Sequence, residues 1–385
     1  MPSTTITSGV QYSGIWSLAG QANAKALGTW PVPNTSLYSW GANATYGQLG
    51  LGDTTSRSSP VQIGSPSTWS KVACGDQHTL STKVDGTLWS WGRNTYGRLG
   101  LGNTTAYSSP KQVGALTAWL NVAGGYYHSI ATKTDGTLWT WGGNNFGQLG
   151  LGNITNYSSP KQVGSLTTWL KITAGRYQTT AIKTDGTLWI WGRNSDGQLG
   201  LGNTTYYSSP KQVGALTTWL NIASGSNFTI ATKTDGTLWT WGGNGAGQLG
   251  LGNTTSYSSP KQVGALTAWI NVACGSSFML ATKTDGTFWA WGANNYGQLG
   301  QGTVSAGISS PVQVGALTTW SKITGGWLQT IATKTDGTLW AWGRNNFGQL
   351  GLGNITSYSS PKQVGASSTW LNVAAGSYFT VAITG

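Results

Sequence analysis

The sequence predicts an all-β fold, a seven-bladed β-propeller of four-stranded blades, and three observations carry this prediction. The first is composition: 59 of the 385 residues are glycine, 23 are tryptophan, only 8% are charged, and glutamate is absent. The second is a Trp-Gly dipeptide that recurs seven times at spacings of 50 or 51 residues. The third is that the two ends of the chain each carry half of one repeat unit.

The composition excludes several classes of protein. Helices rely on Glu, Lys, Arg and Leu, whereas strand-forming Thr, Val, Trp and Tyr and turn-forming Gly, Asn and Ser dominate here. A long disordered chain needs high charge and few aromatic residues, which is the reverse of this composition. No run of about 18 apolar residues occurs, so we expect no membrane span. The first residues lack the basic and apolar regions of a signal peptide, so we expect no secretory signal.

The Trp-Gly motif defines the repeat unit. Its tryptophans are Trp40, Trp91, Trp141, Trp191, Trp241, Trp291 and Trp342. Self-similarity at a fixed period near 50 residues is the signature of a repeat architecture. In one unit we expect strands starting at Trp119 and at His128, a third at 137–141 after an Asp-Gly turn, and a short outer strand at Lys161. Four strands in a unit are typical of a propeller blade.

The ends of the chain predict how the ring closes. Residues 381–385 stop where the next unit would supply its Asp-Gly turn, and residues 34–41 supply the missing Trp-Gly strand. We expect the N- and C-terminal strands to pair in one blade, which leaves no open strand edge at the point of closure. A β-solenoid is the alternative, but its units are usually shorter. The predicted domains are an N-terminal arm at 1–33, with a short helix within 17–27, and the propeller at 34–385.

The repeat pattern G-x-x-H-T-x-A-x-T-x-D-G-x-L-x-x-W-G-x-N-x-x-G-Q-L-G resembles that of the regulator of chromosome condensation family, over about residues 34–385. The resemblance implies a seven-bladed propeller. It implies less about function, since the nuclear member is a guanine nucleotide exchange factor and a plant member senses ultraviolet-B light through clustered tryptophans. Only Trp327 matches the plant motif Gly-Trp-Arg-His-Thr, and no partner-binding insertion interrupts the even spacing, so the sequence favours neither role.

Residues of catalytic type have structural explanations. The Asp-Gly aspartates are typical of hairpin turns, and the Gly-rich loop lacks the Lys-Ser/Thr of a phosphate-binding loop. His78 and His128 occupy a position that other units fill with Gln or Phe, which indicates packing. Cys74 and Cys274 occupy small-residue positions four blades apart and are not expected to bridge. We therefore predict no enzyme, no cofactor and no metal site.

The net charge of +12 is spread around the repeats. Hairpin lysines precede the Asp-Gly turns, and outer lysines follow the Ser-Pro segments. The hairpin lysines are Lys83, Lys133, Lys183, Lys233, Lys283 and Lys334, and the outer lysines are Lys111, Lys161, Lys211, Lys261 and Lys362. We expect both rings to be solvated. A specific nucleic-acid site is not expected, because such sites usually form one patch or groove.

The copies disagree most at the residue pair that precedes the second strand of each unit. If the family geometry holds, these pairs lie at one rim of the central channel, where aromatic and polar side chains suit recognition of a protein or glycan surface. Neutral drift of exposed loops is the alternative explanation. The candidate binding residues are Tyr126, Tyr127, Arg176, Tyr177, Asn227, Trp327 and Tyr378.

The N-terminal segment suggests a biological setting. Its Gly-Ile-Trp-Ser-Leu and Gly-Thr-Trp-Pro runs, at 14–18 and 28–31, are similar to the start of marine bacteriophage structural proteins. The resemblance implies a non-enzymatic virion protein of tail or capsid, with 1–33 contacting other virion proteins and the rim contacting a host surface. The alternatives are an intracellular, exchange-factor-like interaction regulator of the chromosome-condensation type, in the cytoplasm, and a bacterial cell-surface adhesin.

Overall fold

Seven antiparallel sheets of four strands make up residues 34–385, the part of the chain that this computed structural model describes. The first fourteen strands are β1 (Ser36–Gly41), β2 (Arg57–Gln62), β3 (Trp69–Cys74), β4 (His78–Lys83), β5 (Leu88–Gly92), β6 (Tyr107–Gln112), β7 (Trp119–Gly124), β8 (His128–Lys133), β9 (Leu138–Gly142), β10 (Tyr157–Gln162), β11 (Trp169–Ala174), β12 (Gln178–Lys183), β13 (Leu188–Gly192) and β14 (Tyr207–Gln212). The other fourteen are β15 (Trp219–Ser224), β16 (Phe228–Lys233), β17 (Leu238–Gly242), β18 (Tyr257–Gln262), β19 (Trp269–Cys274), β20 (Phe278–Lys283), β21 (Phe288–Asn294), β22 (Ser305–Gln313), β23 (Trp320–Gly325), β24 (Gln329–Lys334), β25 (Leu339–Gly343), β26 (Tyr358–Gln363), β27 (Trp370–Ala375) and β28 (Phe379–Thr384). A short 3-10 turn spans Thr95–Gly97. Within this part of the chain, no helix is long and apolar enough to cross a membrane.

Six blades are each built from four consecutive strands, and the seventh is shared between the two ends of the described chain. Blades 1 to 6 are β3–β6, β7–β10, β11–β14, β15–β18, β19–β22 and β23–β26. Blade 7 has the order β2-β1-β28-β27, and Tyr38 of β1 pairs with Ala382 of β28. The predicted seven-bladed propeller and its closure by the terminal strands are therefore confirmed. The helix expected within 17–27 lies outside the described residues.

Antiparallel pairing sorts the connections of every blade between two ends. The turn between the second and third strands and the link to the next blade lie at one end, which we call the hairpin face. The connections between the first and second strands, and between the third and fourth, lie at the other end, which we call the variable face. The first strands surround a central channel with a volume of about 390 Å³. The candidate binding residues therefore share one end of the molecule.

The outer strand of each blade begins earlier than the sequence predicts. β10 spans Tyr157–Gln162 and so includes the Ser-Ser-Pro run before Lys161. Pro160 is tolerated because the outer strand has one edge without a partner, where a missing N–H removes no ladder bond. The pairing of β10 with β9 shifts register between Tyr157 and Lys161. Because of this irregularity, the alternation of side chains does not predict the first half of the strand.

The Trp-Gly tryptophans hold neighbouring blades together. All seven are fully buried. The indole Nε1 of Trp191 donates to the backbone carbonyl of Gln148 in the preceding blade at 3.0 Å, and five others make the equivalent bond. Gly150 packs against this indole with φ of 73°, and a Cβ there would lie 2.6 Å from Nε1 of Trp191. The Gly-rich loops therefore allow close packing between blades.

The Asp-Gly segments are hairpin turns. The Oδ1 atom of Asp135 accepts hydrogen bonds from the Thr137 hydroxyl at 2.7 Å and from the Thr137 N–H at 2.9 Å. These bonds hold the pKa of the Asp135 carboxyl below its usual value. The Asn-x-Thr segments also form turns, since Oδ1 of Asn153 accepts from the N–H of Thr155 at 3.0 Å. The predicted Asp-Gly turns are therefore confirmed.

The hairpin lysines differ from the expectation of a solvated ring. The ammonium of Lys183 lies 3.7 Å from the ring centre of Trp189 and 5.0 Å from that of Trp169, and the other five hairpin lysines lie over equivalent tryptophan pairs. Lys183 and Lys233 are buried. The sequence missed this contact because the two tryptophans of a pair come from the first and third strands of the blade.

The histidine and cysteine positions are packing positions. His128 is fully buried, and its Nε2 lies 2.9 Å from the Thr179 hydroxyl of the next blade. Burial lowers the pKa of His128 to about 3. Gln178, at the same position in the next blade, donates to the carbonyl of Gly225 at 2.9 Å. Cys74 and Cys274 both line the channel and are free thiols.

Candidate interaction face

The structure places the variable residue pairs at the mouth of the channel on the variable face. The first member of each pair lines the channel, as Tyr126, Arg176 and Trp327 do. Tyr127, Tyr177 and Tyr378 are the second members of their pairs, and all three are half-buried. The position expected from the family geometry is therefore the one observed.

Aromatic side chains from four blades form one connected network on this face. Tyr127 stacks on Tyr177 with ring centres 5.2 Å apart and an interplanar angle of 18°. Tyr126 contacts Tyr127 at 4.8 Å and reaches Trp327 of blade 6 at 6.3 Å. Trp327 in turn lies 5.2 Å from Tyr378 of blade 7. Five of the seven candidate residues are thus in mutual contact, around and across the channel mouth.

The connections between the third and fourth strands enlarge this network with residues that the sequence analysis did not single out. Phe146 contacts Tyr177 at 4.7 Å and Tyr206 at 5.7 Å. Tyr96 and Phe347 extend the network at its other ends, toward Tyr127 and Tyr378. The sequence contains an indication of these residues, because the positions after Trp-Gly-x-Asn also vary between the repeat copies. Only the structure shows that these loops lie beside the variable pairs.

Arginine side chains lie on the aromatic rings of this face. Arg176 lies 4.9 Å from the ring centre of Tyr126 and 5.2 Å from that of Tyr177. Arg344 lies 5.3 Å from the ring centre of Tyr378. Arg93, Arg98 and Arg193 make similar contacts. A guanidinium stacked on an aromatic ring keeps its edge free for planar, two-point hydrogen bonding to a carboxylate.

Two charged groups of the face are buried. Arg98 replaces the glutamine of the Gly-Gln-Leu-Gly motif in blade 1 and donates from Nη1 to the carbonyl of Tyr126 at 2.8 Å. Burial lowers the pKa of Arg98 to about 10, so it stays charged at neutral pH. Asp76 is 5% exposed and accepts a hydrogen bond from the Ser377 hydroxyl. Burial raises the pKa of Asp76, against the opposing effects of Ser377 and Arg98.

Blades 4 and 5 interrupt the network with small residues. At the channel mouth they carry Ser226 and Ser276, whose hydroxyls are 3.0 Å apart. The position that holds arginine in three other blades is Gly243 in blade 4. Asn227 packs over this glycine, so this candidate residue lies apart from the aromatic network. The part of the channel mouth formed by blades 4 and 5, which we call the low sector, therefore has small side chains, although Tyr296 in the outer loop of blade 5 contacts Arg344.

The two ends of the propeller carry different cations. Within residues 34–385, all six arginines lie in the half next to the variable face, and all fourteen lysines lie in the half next to the hairpin face. Three aspartates, Asp53, Asp76 and Asp196, share the variable half, which leaves it a net charge of +3 from six arginines and three aspartates. Arg57 is paired with Asp53 at 2.6 Å. No group of three or more potential metal-binding side chains occurs in this described range.

Comparisons with known proteins agree with this geometry. The model of the RCC1-like domain matches residues 33–281, and the regulator of chromosome condensation (RCC1) repeat matches residues 285–333 and 336–383. The ultraviolet-B receptor UVR8 of Arabidopsis thaliana is 45% identical over 58 residues, a segment that spans 14% of this chain and 13% of the receptor.

Two solved structures show the same fold. Human WBSCR16 has a TM-score of 0.82 at 22% identity and covers 91% of this chain and 99% of its own. Prp20p of Saccharomyces cerevisiae, described with its binding to Gsp1p and histones, has a TM-score of 0.81 at 20% identity and covers 92% of both chains. The matching family models extend over nearly the whole propeller, and the chain therefore belongs to the RCC1-like family.

Proposed function

We propose that this protein is a non-enzymatic interaction module whose variable face recognises an acidic protein surface. The observation that carries the proposal is the segregation of cations: the arginines, five of them stacked on tyrosine or phenylalanine rings, lie at one end, and the lysines lie at the other. Protein interfaces are enriched in arginine and aromatic residues and depleted in lysine. This enrichment distinguishes the variable face from the rest of a basic protein.

The chemistry of the face favours carboxylates as its ligands. Arg176, Arg193 and Arg344 are half-buried, and aromatic contacts fix their orientation. A guanidinium whose rotamers are already restricted loses less entropy when it binds a carboxylate in bidentate geometry. The tyrosines next to them offer apolar area and hydroxyls for a protein surface. A partner with acidic side chains flanking an exposed apolar residue fits this arrangement.

The family relationship supports the interaction role better than it supports a virion role. The Prp20p structure is described with two protein ligands, Gsp1p and histones. The segment similar to bacteriophage structural proteins, at 1–33, lies outside the described residues, and none of these relatives is described as a virion protein. A place in a virion, contact with a host surface and recognition of a glycan stay predictions, as does the absence of catalysis.

The test removes equal charge from the two ends of the propeller. One variant replaces Arg93, Arg176, Arg193 and Arg344 with Gln, and its matched control replaces Lys111, Lys161, Lys211 and Lys261 with Gln. Both lower the net charge by four. Binding of an array of acidic, tyrosine-containing peptides is measured over a salt series by fluorescence anisotropy.

We expect the arginine variant to lose at least about 30-fold in affinity, because interface hot spots are worth about 2 kcal/mol or more each. The lysine control should lose affinity mainly at low salt, where exposed charges are least screened. Replacing Tyr126, Tyr127, Tyr177 and Trp327 with Ser should abolish binding without unfolding the protein. Equal losses in the arginine and lysine variants would show a diffuse polyanion binder and contradict the proposal. Unchanged binding in all three variants would contradict it as well.

A further inference from the structure

The hairpin face contains one aromatic pair that lacks the ammonium found on the other six. In blades 1 to 6 the hairpin lysine lies 3.6–4.5 Å from the ring centre of the third-strand tryptophan and 4.8–5.2 Å from that of the first-strand tryptophan. In blade 7 the corresponding aromatic pair is Trp370 and Tyr38. The residue at the lysine position is Thr384, which pairs with Trp370 as Lys133 pairs with Trp119.

The geometry of the pair is retained although the lysine is missing. Trp370 and Tyr38 have ring centres 5.6 Å apart and an interplanar angle of 71°, compared with 6.0 Å and 76° for Trp119 and Trp139 in blade 2. Tyr38 is oriented by a hydrogen bond from its hydroxyl to Oε1 of Gln62 at 3.3 Å. Within residues 34–385, no lysine or arginine lies over either ring.

Trp370 is slightly more exposed than the first-strand tryptophans of blades 1 to 6, at 7% compared with 2–6%. The leucine that borders the equivalent pair in blade 4, Leu216, corresponds to Ser367 in blade 7. Thr384 is shorter than lysine by two methylenes and an ammonium. The hairpin aspartate that follows the lysine in blades 1 to 6 has no counterpart among the residues described for blade 7. Among the residues that the structure describes, no internal cation therefore competes with a ligand for this aromatic pair.

We propose that Trp370 and Tyr38 form a binding site for a primary ammonium on an unbranched alkyl chain, supplied by a lysine side chain of a partner protein. The six filled blades are the evidence for this ligand chemistry, since each holds such a group between the same two ring positions. An ammonium is attracted electrostatically by the face of an aromatic ring, most strongly by tryptophan. The site is on the opposite end from the variable face and does not depend on the function proposed for that face.

The first experiment fills the site from within. Thr384→Lys restores the residue that six blades carry, and Thr384→Met is the matched control with a similar stem and no charge. We expect Thr384→Lys to raise the thermal midpoint by about 1 °C relative to Thr384→Met, as a surface cation–π contact would. Equal midpoints for the two variants would overturn the proposal, because the aromatic pair would then not distinguish an ammonium from an apolar stem.

The second experiment fills the site from solution. n-Butylammonium, the lysine side-chain analogue, is titrated while the indole N–H signal of Trp370 is followed by NMR, with 1-butanol as the neutral control. A peptide with one lysine and its acetyl-lysine counterpart test the protein-borne source. We expect n-butylammonium and the lysine peptide, but not 1-butanol or the acetylated peptide, to shift the signal, and Thr384→Lys to abolish the response.

The chain supplies its own positive control. Lys133→Thr, or Lys283→Thr if the first variant folds poorly, should open a second site and add a responding tryptophan signal in that blade. A response to 1-butanol equal to that of n-butylammonium, an unchanged response in Thr384→Lys, or no new response in either opened blade would each contradict the proposal.

Discussion

The variable half and the hairpin half of each blade both stack cations on aromatic rings, but they use these contacts differently. In the hairpin half, Lys183 lies between Trp169 and Trp189 of its own blade, and the same contact recurs in the other five intact hairpins. In the variable half, Arg176 lies on Tyr126 of a neighbouring blade, a contact that no other blade repeats. The lysine contacts recur in six blades, whereas the arginine contacts are irregular: only Arg93, Arg193 and Arg344 repeat one another, each lying on an aromatic ring of the preceding blade.

This difference separates the residues that pack the blades together from the residues that are free to vary on the variable face. Positions that join blades, such as Trp191 and Gly150, must be the same in every unit because each meets the same neighbour. The variable pairs lie at the ends of strands, where a side chain can change without altering the ladder or the junction. Mutations should therefore affect stability in the repeated part and binding on the variable face.

We expect the largest loss of stability when the ring is opened. Deleting residues 371–385 removes β28 and nearly all of β27, so β1 and β2 lose the sheet that they complete. We expect the truncated protein to unfold or aggregate, because it exposes an unpaired strand edge. The measurement is size-exclusion chromatography with thermal denaturation. A monomeric truncation with the parent's thermal midpoint would show that the ring does not need its seventh blade.

Adding one methyl group at each of two glycines compares a blade junction with the variable face. Gly147 has φ of 78°, and a Cβ there would lie 2.5 Å from Cα of Ser208 in the next blade. Gly245, on the variable face, has open space around it, with no atom within 4 Å of the point that a Cβ would occupy. Gly147→Ala should cost about 2–5 kcal/mol in the free energy of unfolding, from left-handed strain and overpacking. Gly245→Ala should change little, and similar losses in urea denaturation would remove the distinction.

The buried histidines make the ring sensitive to acid. The pKa of His128 is lowered to about 3, so between pH 6.5 and that value the unfolded chain binds a proton that the folded chain does not. Stability should therefore be fully present above pH 6.5 and fall as the pH falls, by about 2–3 kcal/mol at pH 4.5.

The control for this pH dependence is a residue that the chain already uses at the same position. His128→Gln should flatten the dependence, since glutamine does not titrate and Gln178 already bonds to the next blade there. Denaturation midpoints measured from pH 7 to 4.5 test the sign. An identical slope in the variant would assign the acid sensitivity to other groups.

The smallest effect should come from the hairpin aspartates. Asp135→Asn keeps an acceptor for the N–H and hydroxyl of Thr137, so we expect at most about 1–2 kcal/mol of destabilisation. Hydrolase and transferase assays should show no activity in either protein. A reproducible turnover that this one substitution abolishes would give the ring of aspartates a catalytic role and overturn the interaction hypothesis.

The sequence predicts the architecture because each unit repeats the same local signals. The Trp-Gly period, the Asp-Gly turn and the split unit at the ends all lie within short stretches of chain. The sequence predicts the outer strand from Lys161, although it begins at Tyr157, because Pro160 and a register shift interrupt its alternation of side chains. The contact of Lys183 with Trp169 and Trp189 is not evident from the sequence because the two tryptophans come from the first and third strands of the blade, on either side of the strand that carries the lysine.

The site was predictable only in part for the same reason. Variation between copies identified Tyr126, Tyr177 and Trp327, and their common rim followed from the repeat. That Tyr126 reaches Trp327 across the channel depends on the diameter of the ring and the rotamers of two large side chains. Asn227 was included because its position varies, but it belongs to the low sector. Sequence variation between the copies identifies exposed positions, whereas side-chain contacts in the structure show which of these positions belong to one network.

The low sector in blades 4 and 5 has a consequence for how a partner is oriented. A face with seven equal sectors would offer a partner seven equivalent poses, and this rotational degeneracy would favour binding by RT ln 7, about 1 kcal/mol. Ser226 and Ser276, where three other blades carry Tyr126, Arg176 and Trp327, remove that degeneracy. The unequal sectors remove this small statistical contribution to the binding free energy, and they restrict a partner to one angular orientation about the ring axis. A partner with a second binding site of its own can use that fixed orientation.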